Sequence, residues 1–298
     1  MIFYIFTISN GCEKVNEPLQ HGQRFDRIEH KKDGESMYTK EDYIAVFDSG
    51  VGGISVLRQL RKLMPNEKYV YYGDSANAPY GSRPTEEVRQ LSLAVAEKLT
   101  TEYPVKALVV ACNTATAAAI KNLRKQYPDL IVVGIEPALK LAADSFPGGN
   151  LGVLATEVTL REEKFDALMS RFSKECTVYK IPAPGVANLI EEGKNDAPEM
   201  IGLLKKLLEP YVGKLDALVL GCTHYPFVTR NIAAIMGPKT KLLHGGKGTA
   251  RETKRRLEKA GLLREGEGSV EILNSSGSGK LLKLSRALLD GAQVSFED

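Results

Sequence analysis

Short apolar runs recur along the chain, each closed by small polar residues and followed by a stretch of helical periodicity. Tyr43 to Asp48 (YIAVFD) predicts a buried strand. The turn Ser49-Gly50-Val51-Gly52-Gly53 follows, then a helix with Val56, Leu57, Leu60 and Met64 on one face, ending before Pro65. Tyr69 to Tyr72 predicts a second strand. It runs into a loop from Gly73 to Pro84, long for a strand-to-helix connection and so a candidate functional loop. Thr85 is expected to cap the next helix, with Val88, Leu91, Val95 and Leu99 inward. The run Lys106 to Ala111 ends at Cys112. A helix is expected from Thr116 to Tyr127 and a fourth strand from Leu130 to Ile135. Strands separated by helices predict a parallel sheet.

The pattern restarts near Pro137. Leu151 to Ala155 predicts a strand, Thr156 to Thr159 a turn, Leu160 to Phe172 a helix and Val178 to Ile181 a strand. Pro182 to Gly193 reads as loop and short helix, and Met200, Leu204, Leu207 and Tyr211 mark a helix face. Ala217 to Leu220 repeats the apolar run and leads to Cys222, with a helix expected after Pro226. The cysteines stand 110 residues apart (222 − 112). Each half also has an earlier strand ending in a small-residue turn, 64 residues (112 − 48) and 66 residues (222 − 156) before its cysteine. Similar units in similar order suggest duplication. A strand at Leu242-Leu243, a helix from Thr249 to Ala260, a strand from Val270 to Leu273 and a helix from Leu281 to Leu289 complete the chain. The expected fold is α/β: two pseudo-symmetric doubly wound domains with the active site in the cleft between them. Residues 43–135 with 245–298 form the first domain and 136–244 the second. Residues 1–42 are an extension without a fixed fold.

Composition narrows the function classes. With 40 basic and 37 acidic residues the formal charge is +3, which argues against a general electrostatic binder of nucleic acid or membrane. Cys12, Cys112, Cys176 and Cys222 are widely spaced without a CxxC pair, so no disulfide framework is expected and a reducing cytoplasm fits. No apolar run approaches the roughly 18 residues of a membrane span. Met1 to Asn10 is apolar but lacks a basic flank and a small-residue cleavage site, and is not read as a signal peptide. Gly11 to Ser36 is polar and aperiodic.

The cysteines carry the candidate chemistry. Cys112 falls at the carboxyl end of a strand, where open α/β sheets place ligands. Free N–H groups of the next helix would favour a thiolate there. A lone strand-end cysteine is usually a small buried hydrophobe. Two at matched places, followed by Asn113-Thr114 and Thr223-His224, weigh toward a site. His224 can bind a carboxylate or tune the Cys222 thiol. The glycines after Asp48-Ser49 let backbone N–H groups approach an anion, or simply make a tight turn. No GxGxxG fits. Cys112, Cys222 and His224 match no structural zinc spacing, and no metal is expected. Ser276 to Lys280 lacks the first glycine of a phosphate loop and reads as a turn. Arg251, Lys254, Arg255, Arg256 and Lys259, interspersed with Glu252 and Glu258, read as a solvated helix face.

Together AVFDSGVGG (45–53), YYGDSANAPYGSRP (71–84), VVACNTATAAA (109–119), GVLATEVTL (152–160) and LGCTHYP (220–226) resemble the cofactor-independent glutamate racemases, over roughly Tyr43 to the end. The resemblance implies a two-base racemase making D-glutamate for peptidoglycan, without a cofactor, cytoplasmic and homodimeric. It implies Cys112 and Cys222 as the acid/base thiols. Asp48, Ser49, Tyr80, Gly81, Asn113, Thr114, Thr223 and His224 would line the substrate, and Thr156 and Thr159 are weaker carry-overs. Asp48 and His224 would assist proton transfer on their respective sides. Thr223-His224 favours glutamate over aspartate, since aspartate-specific members generally lack it. Aspartate racemases, related isomerases and a binding protein that keeps the fold are the alternatives. The chemistry is consistent: inverting an α-carbon needs a base on one face and an acid on the other, and two facing thiols supply both.

Overall fold

The computed structural model describes residues 7–8, 37–135, 138–161 and 176–291. Its strands are β1 (Thr7–Ile8), β2 (Tyr43–Asp48), β3 (Lys68–Gly73), β4 (Val105–Val110), β5 (Ile131–Gly134), β6 (Asn150–Ala155), β7 (Thr177–Pro182), β8 (Ala217–Leu220), β9 (Lys241–His244) and β10 (Ser269–Asn274). They form a sheet of order β1-β10-β3-β2-β4-β5 and a second of order β7-β6-β8-β9. Only β1 runs antiparallel among the described strands. Within each half, the strands lie in the same order: second, first, third, fourth. Cys112 and Cys222 each stand two residues beyond the third strand of their half, beside the point where the strand order reverses. β10 returns to pair with β3 in the first sheet.

Strand periodicity sorts the side chains into layers. Ile44, Val46, Ala107 and Val109 face one core, with α1 (Ile54–Leu63) and the later helices α9 (Gly246–Lys259) and α10 (Gly279–Asp290). Ala45, Phe47, Leu108 and Val110 face the other, under α2 (Thr85–Glu102) and α3 (Asn113–Gln126). In the second sheet Val153, Ala155, Ala217 and Val219 pack with α4 (Leu139–Ser145). Leu154, Leu218 and Leu220 pack with α7 (Pro198–Leu208) and α8 (Thr229–Met236). The cluster holding Ile44 and Val46 also holds Leu154 and Leu218, so one apolar core runs through both halves. Between them stand the short helices α5 (Glu157–Arg161) and α6 (Val186–Glu191).

Several local expectations shift. Helix α3 begins at Asn113, three residues before the expected start, so Cys112 itself is its cap and its sulfur accepts from the Ala115 N–H. Thr156 to Thr159 is not a turn. Thr156 Oγ1 accepts from the Thr159 N–H at 3.3 Å and α5 starts at Glu157. The rest of the helix expected to Phe172, and the restart at Pro137, lie outside the described residues. Pro84, not Thr85, holds the cap position of α2. After Cys222 comes a 3-10 turn, Tyr225–Val228, whose Pro226 has no N–H to give, and α8 begins only at Thr229.

The extension expected over 1–42 reaches less far along the chain. Thr39 N–H and Oγ1 both donate to the buried Asp42 carboxylate, at 2.9 Å each. Lys106, wholly buried in β4, donates to Lys40 O and Leu262 O and pairs with Glu67 Oε2 at 2.6 Å. The turn at 39–42 is thereby tied to the first sheet. Residues 1–6 and 9–36 lie outside the described residues. No helix among the described residues is long and apolar enough to cross a membrane.

Candidate active site

The carboxyl ends of both sheets open on one cavity of about 660 Å³. Ser49 reaches it from the turn after β2, and Tyr80 and Gly81 from the loop after β3. Cys112, Asn113 and Thr114 come from the start of α3. Thr156 and Thr159 come from the start of α5, and Cys222, Thr223 and His224 from the segment after β8. Both thiols therefore line the same space. Asp48 does not: it is fully buried one layer behind, accepting from the Gly50 N–H at 3.0 Å and the Thr223 hydroxyl at 2.9 Å. Tyr80 commits its hydroxyl to Asp74 at 2.6 Å and presents its ring. Gly81 sits so close to Thr156 that a Cβ would lie 3.0 Å from its methyl. Thr159 Oγ1 lies 2.9 Å from Thr156 Oγ1 and 3.4 Å from Thr114 Oγ1, a hydroxyl chain joining the two halves.

Each thiol is backed by a two-step polar chain. Cys112 Sγ donates to Ser49 Oγ at 3.8 Å, and Ser49 to Asp48 Oδ1 at 3.5 Å. Cys222 Sγ lies 3.5 Å from His224 Nδ1, and His224 Nε2 lies 2.7 Å from Glu191 Oε1. The chains are anchored reciprocally. Asp48 of the first half is held by Thr223 of the second, and Glu191 of the second half accepts from the Val51 N–H of the first at 2.7 Å. Glu191 is the functional-site candidate that the sequence reading missed. It ends a six-residue helix, in a stretch expected to be loop and short helix, and no neighbouring motif marks it.

This arrangement redefines the glycine turn. Its N–H groups at Gly50 and Val51 are engaged by protein carboxylates, Asp48 and Glu191, rather than left free for a ligand. A Cβ on Gly50 would lie 1.8 Å from Glu191 Oε1, and one on Gly52 2.5 Å from His224 Nδ1. The glycines make room for the opposite half.

The electrostatics of the two thiol sites differ. Burial, then the Asp48 charge, pushes the Cys112 thiol up to about 12, outweighing the Ala115 N–H and Ser49. The helix-start N–H of Ala115 does act to favour thiolate at Cys112, but desolvation outweighs that one donor. Burial also raises the Asp48 carboxyl, against the opposing pull of His224, Thr223 and Gly50. Burial alone would lower His224. Its hydrogen bonds and charge interactions with Cys222 and Glu191 outweigh that and hold it well above the ordinary histidine range. Asn113 Oδ1 is buried and has no hydrogen-bond partner among the described residues. Cys222, His224 and Glu191 lie in one hydrogen-bonded line, and among the described residues no group of three or more His, Cys, Asp or Glu is placed to hold a metal.

Fold and sequence together make the chain an isomerase, an enzyme of the racemase class. A solved glutamate racemase from Bacillus anthracis superposes with a TM-score of 0.76 at 30% identity, covering 87% of this chain and 97% of that one. One from Thermus thermophilus, in complex with β-chloro-D-alanine, gives 0.72 at 36% identity over 86% and 96%. A glutamate racemase from Clostridium acetobutylicum is 46% identical over 85% of this chain and its own full length. The chain belongs to the Asp/Glu/Hydantoin racemase family, whose model matches residues 54–253.

Proposed function

We propose that the chain is a cofactor-independent glutamate racemase that interconverts L- and D-glutamate through two thiols, supplying D-glutamate for peptidoglycan. The observation that carries this is the pair of cysteines, each two residues beyond the third strand of equivalent sheets and lining one cavity. The relatives of 42–46% identity are glutamate racemases, which supports glutamate over aspartate.

In this reading Cys112, kept protonated by burial and Asp48, is the acid for L-glutamate. Cys222, beside the cationic His224, takes the α-proton from the opposite face. In the reverse direction the roles exchange, with Ser49 and Asp48 receiving the charge reorganisation on the Cys112 side. Asn113 Oδ1 is the unpaired acceptor suited to the substrate ammonium. Thr114 serves the carboxylates, with Ser49, Thr223, Tyr80 and Gly81 as wall, the Ser49 and Thr223 hydroxyls being spent on Asp48. Donors fixed in the cavity oppose the charge that develops on the carboxylate as the α-carbon loses its proton.

The test is isotope incorporation. Reactions from each pure enantiomer in deuterated water are stopped early. Deuterium is expected in the product enantiomer well before the residual substrate, because the acid on the far face draws its proton from solvent. Equal early labelling of both would indicate one shared base. No exchange with glutamate but exchange with aspartate would replace the substrate and keep the mechanism.

A further inference from the structure

A second hollow, of about 390 Å³, lies at the other end of the first sheet. It opens where α1 ends and β3 and β10 begin, whereas both thiols follow strand carboxyl ends. Arg58, Arg61 and Lys62 line it, spaced three and four apart and so on one helix face. Helix α1 has no acidic residue to match them.

Among the described residues, the negative groups nearby do little to neutralise this set. Glu67 is buried and already pairs with Lys106, its second oxygen accepting from the Arg264 N–H at 2.9 Å. Asp290 approaches Arg61 only to 3.9 Å, with both side chains well exposed. Among the described residues Arg58 and Lys62 have no ionic partner. Last-turn cations such as Arg61 and Lys62 complement the helix dipole by themselves. Arg58 lies a turn earlier and gains little from it. Three cations around a concave surface repel one another and focus a positive potential into it.

The floor has a different character. Tyr69, Val270 and Leu289 are buried there, and the Tyr69 hydroxyl is spent on Met64 O at 2.8 Å. An apolar floor beneath a cationic rim suits a molecule with a carbon skeleton and a compact cluster of negative oxygens. Two guanidinium forks match phosphate oxygens bidentately. The volume falls in the range of small-molecule sites, roughly 300–1,000 Å³.

We infer that this hollow is a binding site for a small phosphorylated anion, separate from the cavity of the two thiols. Titration calorimetry on the full chain with inorganic pyrophosphate, at fixed ionic strength, tests it. Saturable binding at one site is expected. Arg58→Ala with Arg61→Ala should weaken it at least tenfold, while Arg251→Ala with Lys259→Ala, on α9, should leave it within twofold. If the alanine pair fails to fold by circular dichroism, Arg58→Lys with Arg61→Lys keeps the charge and loses the forks. It should still weaken binding several-fold. Absence of saturable binding by the parent overturns the inference. So does equal weakening by the α9 pair, which would mean diffuse attraction. Citrate binding as tightly as pyrophosphate would overturn the phosphoryl assignment.

Discussion

Glu191→Gln isolates the role of the carboxylate behind His224. The substitution keeps size and leaves an oxygen for the Val51 N–H, which lies 2.7 Å from the native carboxylate. It removes the negative charge 2.7 Å from His224 Nε2. A hydrogen bond to a charged group contributes about 1.5–3 kcal/mol, or roughly 10- to 150-fold in rate where it serves the transition state. With Glu191 neutral, His224 falls back toward the ordinary histidine range. The imidazolium is then lost at lower pH, and the alkaline limb of the rate profile should move down. The assay is racemisation followed by circular dichroism from pH 6 to 10, paired with elimination from glutamate analogues that carry a β-leaving group. Elimination reports proton removal on one face alone. The L-analogue should slow by the stated factor and the D-analogue, served by Cys112, should change little. An unmoved pH profile with parental elimination from the L-analogue would refute the proton chain. Equal loss on both analogues would mean that Glu191 only holds the halves together.

Further outcomes follow from the same geometry. Cys112→Ala and Cys222→Ala should each abolish racemisation. With the β-leaving-group analogues, Cys112→Ser should mainly slow elimination from the D-analogue and Cys222→Ser from the L-analogue, and parental turnover in either alanine variant would make that thiol structural. Gly52→Ala would place a methyl 2.5 Å from His224 Nδ1 and 2.6 Å from Thr223 Oγ1. Overpacking of about 1–3 kcal/mol should fall on the active site, so activity should drop at least tenfold with the far-ultraviolet spectrum retained; full activity would show that the segment yields freely. Lys106→Met leaves Glu67 buried and uncompensated, and urea unfolding should show a loss of about 3–5 kcal/mol, partly recovered by adding Glu67→Gln; a loss below about 1 kcal/mol would contradict the buried pairing. Light scattering should return about twice the 32.6 kDa chain mass, and a monomer mass would end the homodimer expectation.

What was legible in the sequence is what depends on local pattern. Apolar runs located β2, β3, β4 and β6 to within about a residue of their ends, because strands buried on both faces must be continuously apolar. The duplicated plan showed in two cysteines at equal rank, and the structure carries it through to strand order. Tertiary facts were hidden. Glu191 meets His224 across 33 residues and Val51 across 140, and nothing local announces either meeting. At Cys112 the helix cap is visible in sequence, whereas the desolvation that outweighs it is not. Lys106 reads as the polar start of a strand, and only the fold buries it beside Glu67.

The unequal surroundings of the thiols have a thermodynamic consequence for an enzyme that exchanges mirror images. Free L- and D-glutamate have identical free energies, so their equilibrium constant is one. The Haldane relation then forces kcat/KM to be the same in both directions, whatever separates a buried Cys112 from a Cys222 backed by His224 and Glu191. The asymmetry of the site can appear only in how that common ratio divides between turnover and saturation. A substitution behind one thiol must lower both specificity constants by the same factor. The equal free energies of the two enantiomers thus fix a ratio that no change to either half of the site can shift.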